Sequence, residues 1–245
     1  MFGIIGGSGL AKLSALDEPR RQVMRTPYGE PSGAITFGRL AGNDIVFVAR
    51  HGYGHTIAPH EINYRANIWA LREIGVEGIF ALSTVGSIRA DLEPGNLVVP
   101  HQILDYTHSR ASTFFERGAG AVTHIDFTLP YAQELRQRLL DGASKAGEEV
   151  FDGAIYACMQ GPRLETAAEV DRLERDGADV VGMTGMPEAT LAREAQLPYA
   201  TLSVVVNHAA GRGDSKARVE LAKFGRVLED AIVRAVHVLE FAVAA

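Results

Sequence analysis

Seven short apolar runs divide the chain: FGIIGG (2–7), DIVFVAR (44–50), GIFALS (78–83), NLVVPHQIL (96–104), AIYACMQG (154–161), DVVGMT (179–184) and YATLSVVVN (199–207). Their lengths and their β-branched content predict strands. Between several of them, apolar residues recur three and four positions apart, over 60–74, 129–146, 166–176, 187–196 and 216–243. That spacing gives a helix one apolar face, most plainly with Ile62, Ala66, Ile68, Trp69 and Leu71. The alternation predicts an α/β sheet covered by helices on both faces. Thr166 and Glu169 form a capping box, so a helix should begin at Thr166 and leave Glu165 just outside it. Residues 105–128 have the weakest periodicity and read as a long irregular excursion.

A chain of 245 residues, 47% hydrophobic, can bury a large core. It has no internal repeat and no linker rich in Pro, Gly or Ser, which makes a single domain over 1–245 the expectation. A net charge of -6 without a lysine- or arginine-rich tract argues against a nucleic-acid surface. Cys158 is the only cysteine, so neither an internal disulfide nor a thiolate metal cluster can form. No signal-peptide pattern and no apolar run of membrane-spanning length occurs. A soluble cytoplasmic protein is expected.

In α/β sheets, ligands gather beyond the carboxyl ends of strands, so the residues there carry the chemistry. GGSG (Gly6–Gly9) offers backbone donors and the Ser8 hydroxyl. After DIVFV stand Arg50, whose planar fork suits two oxygens of an oxyanion, and His51. LSTVGS adds the hydroxyls of Ser83 and Thr84. Each has a bland alternative: a tight turn, a salt bridge within the fold, a hydroxyl-capped turn. Their convergence favours a phosphate site of Ser8, Arg50, His51, Ser83 and Thr84. A metal at His51, His55 and His60 is disfavoured, because Gly52, Gly54 and Pro59 deny the segment helical spacing and no acid precedes Glu61. Glu165 reads either as a site carboxylate or as a solvated one. Met183, next to Thr184 at a strand end, is either core or a surface on which a sugar packs. Pro187 and Glu188 should start the following helix.

GIIGGSGL, RHGYGHTIAPHEINYRANIWALREIGVEGIFALSTVGS, QGPRLET, GADVVGMTGMPEATLAREA and the VVVN strand stand in the order seen in the trimeric nucleoside phosphorylases. The chain resembles that family, which contains 5′-methylthioadenosine phosphorylase and the 6-oxopurine nucleoside phosphorylases. The resemblance implies a mixed sheet, a homotrimer, and phosphorolysis, in which phosphate displaces a purine from C1′ of a ribose. Inorganic phosphate is then a co-substrate and no cofactor is needed. The resemblance also implies that Ser8, Arg50, His51, Ser83 and Thr184 bind phosphate, with Thr84 lining the site. By the same likeness Met183 lies on the ribose, Leu164, Glu165 and the segment from Asn207 to Ala209 border the base, and His124 closes a neighbouring subunit's sugar pocket.

The base edge has its own chemistry. A 6-oxopurine presents acceptors at O6 and N7 and a donor at N1, whereas adenine reverses positions 1 and 6. An Asn207 amide can donate toward N7 and O6, and an ionised Glu165 can accept from N1–H. Adenosine-type members resembled here carry aspartates where Asn207 and Ala209 stand. On the 5′ side, hypoxanthine and guanine nucleoside phosphorylases place a histidine near the start of the last helix. This chain offers Val219, Leu221, Phe224 and Val227, which favour a methylthio group, although that spacing also suits the core face of a helix. The expected reaction is phosphorolysis of S-methyl-5′-thioinosine. Methylthioadenosine, or inosine and guanosine generally, are the alternatives within the class. A nonenzymatic nucleotide sensor and a histidine metal hydrolase are those outside it.

Overall fold

The computed structural model describes residues 1–10, 15–116 and 122–244. In chain order the elements are β1 (Phe2–Gly6), β2 (Asp17–Gln22), β3 (Ile35–Leu40), β4 (Asn43–Ala49), α1 (Tyr64–Ile74), β5 (Ile79–Ser87), β6 (Leu97–Val99), β7 (Gln102–Tyr106) and α2 (Gln133–Ala146). There follow β8 (Val150–Asp152), β9 (Ile155–Met159), α3 (Ala167–Arg175), β10 (Val180–Gly182), α4 (Gly185–Glu194), β11 (Tyr199–His208) and α5 (Phe224–Ala244). All eleven strands join one mixed sheet, along the path β2-β3-β4-β1-β5-β10-β9-β7, with β11 beside β5 and β6, and β8 beside β6.

Strand alternation explains the continuous apolar runs. Ile4, Phe47, Phe80 and Leu202 face α2 and α5, where they meet Leu135, Leu139, Ala235 and Val238. Their neighbours Ile5, Val46, Val48 and Ala81 face the opposite side, against Ile68 and Leu71 of α1 and Ala189 and Leu191 of α4. Strands buried on both faces leave no polar position to alternate. Local chemistry sets the helix ends: the Asn63 side chain accepts from the Ala66 N–H to start α1, and Thr166 and Glu169 make the predicted capping box of α3.

The elements depart from expectation in several places. β2 reads DEPRRQ and is exposed at every residue, so it has no apolar signature; its charges and Pro19 suit an edge strand, which must resist pairing with another chain. β3 and the three-residue β8 were also unforeseen. NLVVPHQIL is two strands, broken at Pro100 and His101, where a ladder donor is missing. The last helix begins at Phe224 rather than 216, after a 3-10 turn at Leu221–Lys223. Finally, β5 runs on to Ser87, which places Ser83 and Thr84 inside a strand rather than beyond one.

Candidate active site

The extension of β5 creates the site. β1 pairs with β5 only from Ile79 to Ala81, and β10 pairs with the same edge of β5 only at Gly86 and Ser87. Between those contacts the sheet splits, while β11 continues along the other edge of β5. A split of this kind is where α/β sheets hold ligands. A cavity of about 230 Å³ opens there, lined by Gly7 and Ser8 after β1, Ser83 to Gly86 of β5, Val181 to Thr184 at the end of β10, and Val206, Asn207, Ala209 and Ala210 at the end of β11.

Arg50, at the end of β4, fills the gap between β1 and β5. It is 1% exposed and donates through Nη1 to the Leu82 carbonyl at 2.8 Å, a backbone acceptor that β1 leaves free. Nε and Nη2 each donate to the Glu188 carboxylate at 2.7 Å. Three of the five guanidinium hydrogens are thereby used, and two remain at a side chain that lines the cavity. The salt bridge within the fold thus leaves donors that a cavity anion could use. Burial lowers the pKa of Arg50, but the charge and hydrogen bonds of Glu188 outweigh it and leave the pKa raised, so the cation is permanent. Gly7 permits this packing, since a Cβ there would stand 2.8 Å from Nη1 and 2.7 Å from the Leu82 oxygen.

His51 supplies no charge. Burial and the neighbouring Arg50 push its pKa down to about 4. Its Nδ1 lies 2.9 Å from the Ile57 carbonyl, which can only accept, so Nδ1 carries the proton and Nε2 is an acceptor. Its ring packs on His55 at 4.6 Å between centroids. Among the described residues, no group of three or more His, Cys, Asp or Glu is arranged to hold a metal. Ser83 Oγ lies 2.9 Å from Ser203 Oγ, which anchors it at the cavity floor. Thr184 caps α4 without using its side chain, and its N–H donates to Tyr156 Oη at 3.2 Å. A Cβ on Gly182 would stand 2.3 Å from that phenol oxygen, so the glycine is what lets the tyrosine reach Thr184.

Leu164, Glu165, Asn207 and Ala209 also line the cavity, with Asn207 and Ala209 beside Gly86 of β5. Val206 and Asn207 both line it, which strict strand alternation forbids. The register of β11 against β5 shifts between Val205 and Asn207, and this bulge turns the amide inward. Asn207 Nδ2 donates to the His208 carbonyl at 2.6 Å, leaving one amide hydrogen for a ligand where the sequence suggested two contacts. Burial, as the largest influence, raises the pKa of Glu165 above the ordinary carboxylate range.

Met183, Val219 and Phe224 line the cavity, whereas two other residues of the expected 5′ group do not. Leu221 is 62% exposed, and Val227 does not line the cavity; Leu228 does. Because α5 begins only at Phe224, Val219 and Leu221 share no helical face with it, and within α5 it is Leu228, four residues on, that lines the cavity with Phe224. His124 lies in a different cavity, with Asp126, Arg193 and Glu194. Sequence reasoning also missed Arg110, which sits in the stretch read as irregular. Its guanidinium donates to the carbonyls of Gln160 at 2.7 Å and Met183 at 2.9 Å, tying two strand ends of the site together. Glu188 was seen only as a helix start, because its partner Arg50 is 138 residues away.

A model of the phosphorylase superfamily matches residues 1–244. The probable S-methyl-5′-thioinosine phosphorylase of Pseudomonas syringae pv. tomato is 50% identical over 94% of this chain and 93% of its own. The 6-oxopurine nucleoside phosphorylase of Pyrococcus furiosus is 46% identical over 88% of this chain and 82% of its own. Among solved structures, methylthioadenosine phosphorylase from Schistosoma mansoni in complex with adenine superposes with a TM-score of 0.93 at 31% identity, covering 99% of this chain and 90% of that one. These names agree on the chemistry and differ in the nucleoside.

Proposed function

The chain belongs to the phosphorylase superfamily, and from that premise we propose that it cleaves S-methyl-5′-thioinosine with phosphate, giving hypoxanthine and 5-methylthioribose 1-phosphate. The observation that carries the choice of base is that Asn207 and Glu165 line the same cavity as Ser8, Arg50, Ser83, Thr84 and Thr184. An oxygen of phosphate attacks C1′ as the bond to N9 breaks, and that electron pair passes into the purine. The sugar is cation-like in between, so the bound anion stabilises it while a donor at N7 or O6 stabilises the leaving base. The free hydrogen of Asn207 is that donor, and Glu165 accepts from N1–H. Arg50 carries the positive charge at the phosphate. His51, neutral, meets it through Nε2 where an oxygen bears a proton.

Ala209 contributes by lacking a carboxylate, which would repel the acceptors of a 6-oxopurine. Met183 packs on the ribose. Val219, Phe224 and Leu228 give the 5′ end an apolar wall that suits a methylthio group. In this reading phosphate is a co-substrate, no cofactor is required, and the enzyme serves purine salvage in the cytoplasm. It works as a homotrimer, in which His124 reaches a neighbour's cavity; its position outside the cavity of its own chain supports that role. No helix among the described residues is long and apolar enough to cross a membrane.

The test is to incubate the protein with methylthioinosine, methylthioadenosine and inosine, with and without phosphate, and to measure free base. Methylthioinosine should be cleaved best and only with phosphate. Faster cleavage of methylthioadenosine would remove Asn207 and Glu165 from their roles, and cleavage without phosphate would remove the phosphorylase reading.

A further inference from the structure

Behind the phosphate end lies a group that the mechanism above does not use. Glu188 is completely buried and does not line the cavity. Its Oε2 accepts Arg50 Nε, and its Oε1 accepts both Arg50 Nη2 and Tyr199 Oη, the last at 2.9 Å. Tyr199 is itself buried, at the start of β11, and does not line the cavity either. The order is therefore Tyr199, Glu188, Arg50, cavity, with each side chain holding the next.

Electrostatics alone argues against such a residue. A carboxylate beside the one cation of an anion site offsets the charge that the anion is meant to meet. Geometry argues for it. A guanidinium rotates about its Cδ–Nε bond, and pairing through Nε and Nη2 fixes its plane, while the Leu82 carbonyl fixes Nη1 from the other side. The two unused hydrogens then have one direction.

We infer that Glu188 is a positioning residue for phosphate: it sets the plane of the Arg50 guanidinium, and Tyr199 sets Glu188. The inference rests on the phosphate reading of the cavity. Steady-state kinetics, with phosphate and nucleoside varied separately, separate geometry from charge. Glu188→Asp keeps the charge and withdraws the carboxylate by one methylene. It should raise the KM for phosphate about tenfold or more and leave the nucleoside KM within about twofold. Tyr199→Phe, which removes one hydrogen bond and no charge at Arg50, should raise the same KM about threefold. If Glu188→Asp does not fold, the Tyr199→Phe result decides.

An unchanged phosphate KM, or equal rises in both KM values, overturns the inference. So does a Glu188→Gln protein that binds phosphate more tightly than the wild type, since charge would then be what Glu188 controls. Wild-type cleavage without phosphate would instead sink the underlying function, whatever the variants do.

Discussion

In the proposed reaction the cavity has two tasks, and the walls that meet them are built by different means. On the side assigned to phosphate, Ser83 and Thr84 sit within β5, where sheet pairing fixes the backbone, and Ser8, Arg50 and Thr184 stand within two residues of the ends of β1, β4 and β10. On the side assigned to the 5′ group, Val219 belongs to the connection between β11 and α5, and Phe224 and Leu228 to the first turns of α5. Positioning an attacking oxygen tolerates errors of a fraction of an ångström, whereas filling space beside a methylthio group requires only apolar volume. Under that proposal the demanding task falls on strands and their ends, and the tolerant one on a connection and the first turns of the helix that follows it. Connections vary most readily, so the 5′ preference can change without disturbing the chemistry.

The strongest way to break this contrast is at Arg50. Arg50→Lys retains a cation for the buried Glu188, which keeps the fold from carrying an uncompensated charge, but it removes the fork. The expected loss is about a thousandfold in kcat/KM for phosphate. A loss under tenfold would mean that the hydroxyls, not Arg50, organise the anion.

Next in size is the base edge. Asn207→Asp combined with Ala209→Asp replaces a donor and a gap with two acceptors facing the acceptors of a 6-oxopurine. Cleavage of methylthioinosine should fall about a hundredfold relative to methylthioadenosine. Unchanged relative rates would release Asn207 from its assigned role.

These residues were legible in the sequence because each follows, or extends, a continuous apolar run bounded by turn residues. Even there the reading was incomplete. LSTVGS announces hydroxyls but not that β5 continues through them, since the split depends on where β1 and β10 stop. The bulge that turns Asn207 inward is likewise set by pairing with β5, which no local pattern encodes. Glu188 and Arg110 act on partners distant along the chain, and a single sequence carries no signal for such pairs. At the 5′ end, one helical period was extended through 216–223, where the backbone is not regular, and it assigned Leu221 and Val227 in place of Leu228.

That misreading supplies the third test. Phe224→Ala should reduce the preference for methylthioinosine over inosine about tenfold by removing apolar surface at the 5′ group. Leu221→Ala, at an exposed position, should leave stability within about 0.5 kcal/mol and the preference unchanged. A response at Leu221 comparable to that at Phe224 would show that the wall of the pocket has been drawn on the wrong residues.

The smallest effect concerns the ionisation of Glu165. Burial raises its pKa above the ordinary carboxylate value of about 4.3, so the carboxylate is reached only at a correspondingly higher pH. The ionised form is the one that accepts from N1–H with both oxygens available. As pH falls through the raised pKa the group gains a proton, and kcat/KM for methylthioinosine should fall a few-fold at a higher pH than an unperturbed carboxylate would produce. Phosphate changes charge with pH as well, so the wild-type profile alone does not isolate the effect. Glu165→Gln does, because its amide oxygen still accepts from N1–H but does not titrate. The variant should lose about threefold to tenfold activity at neutral pH, and the ratio of wild-type to variant activity should shrink toward acid. A constant ratio across the acid range would mean that Glu165 meets the base as an uncharged acid, and the preference for a 6-oxopurine would then rest on Asn207 and on the carboxylate that Ala209 lacks.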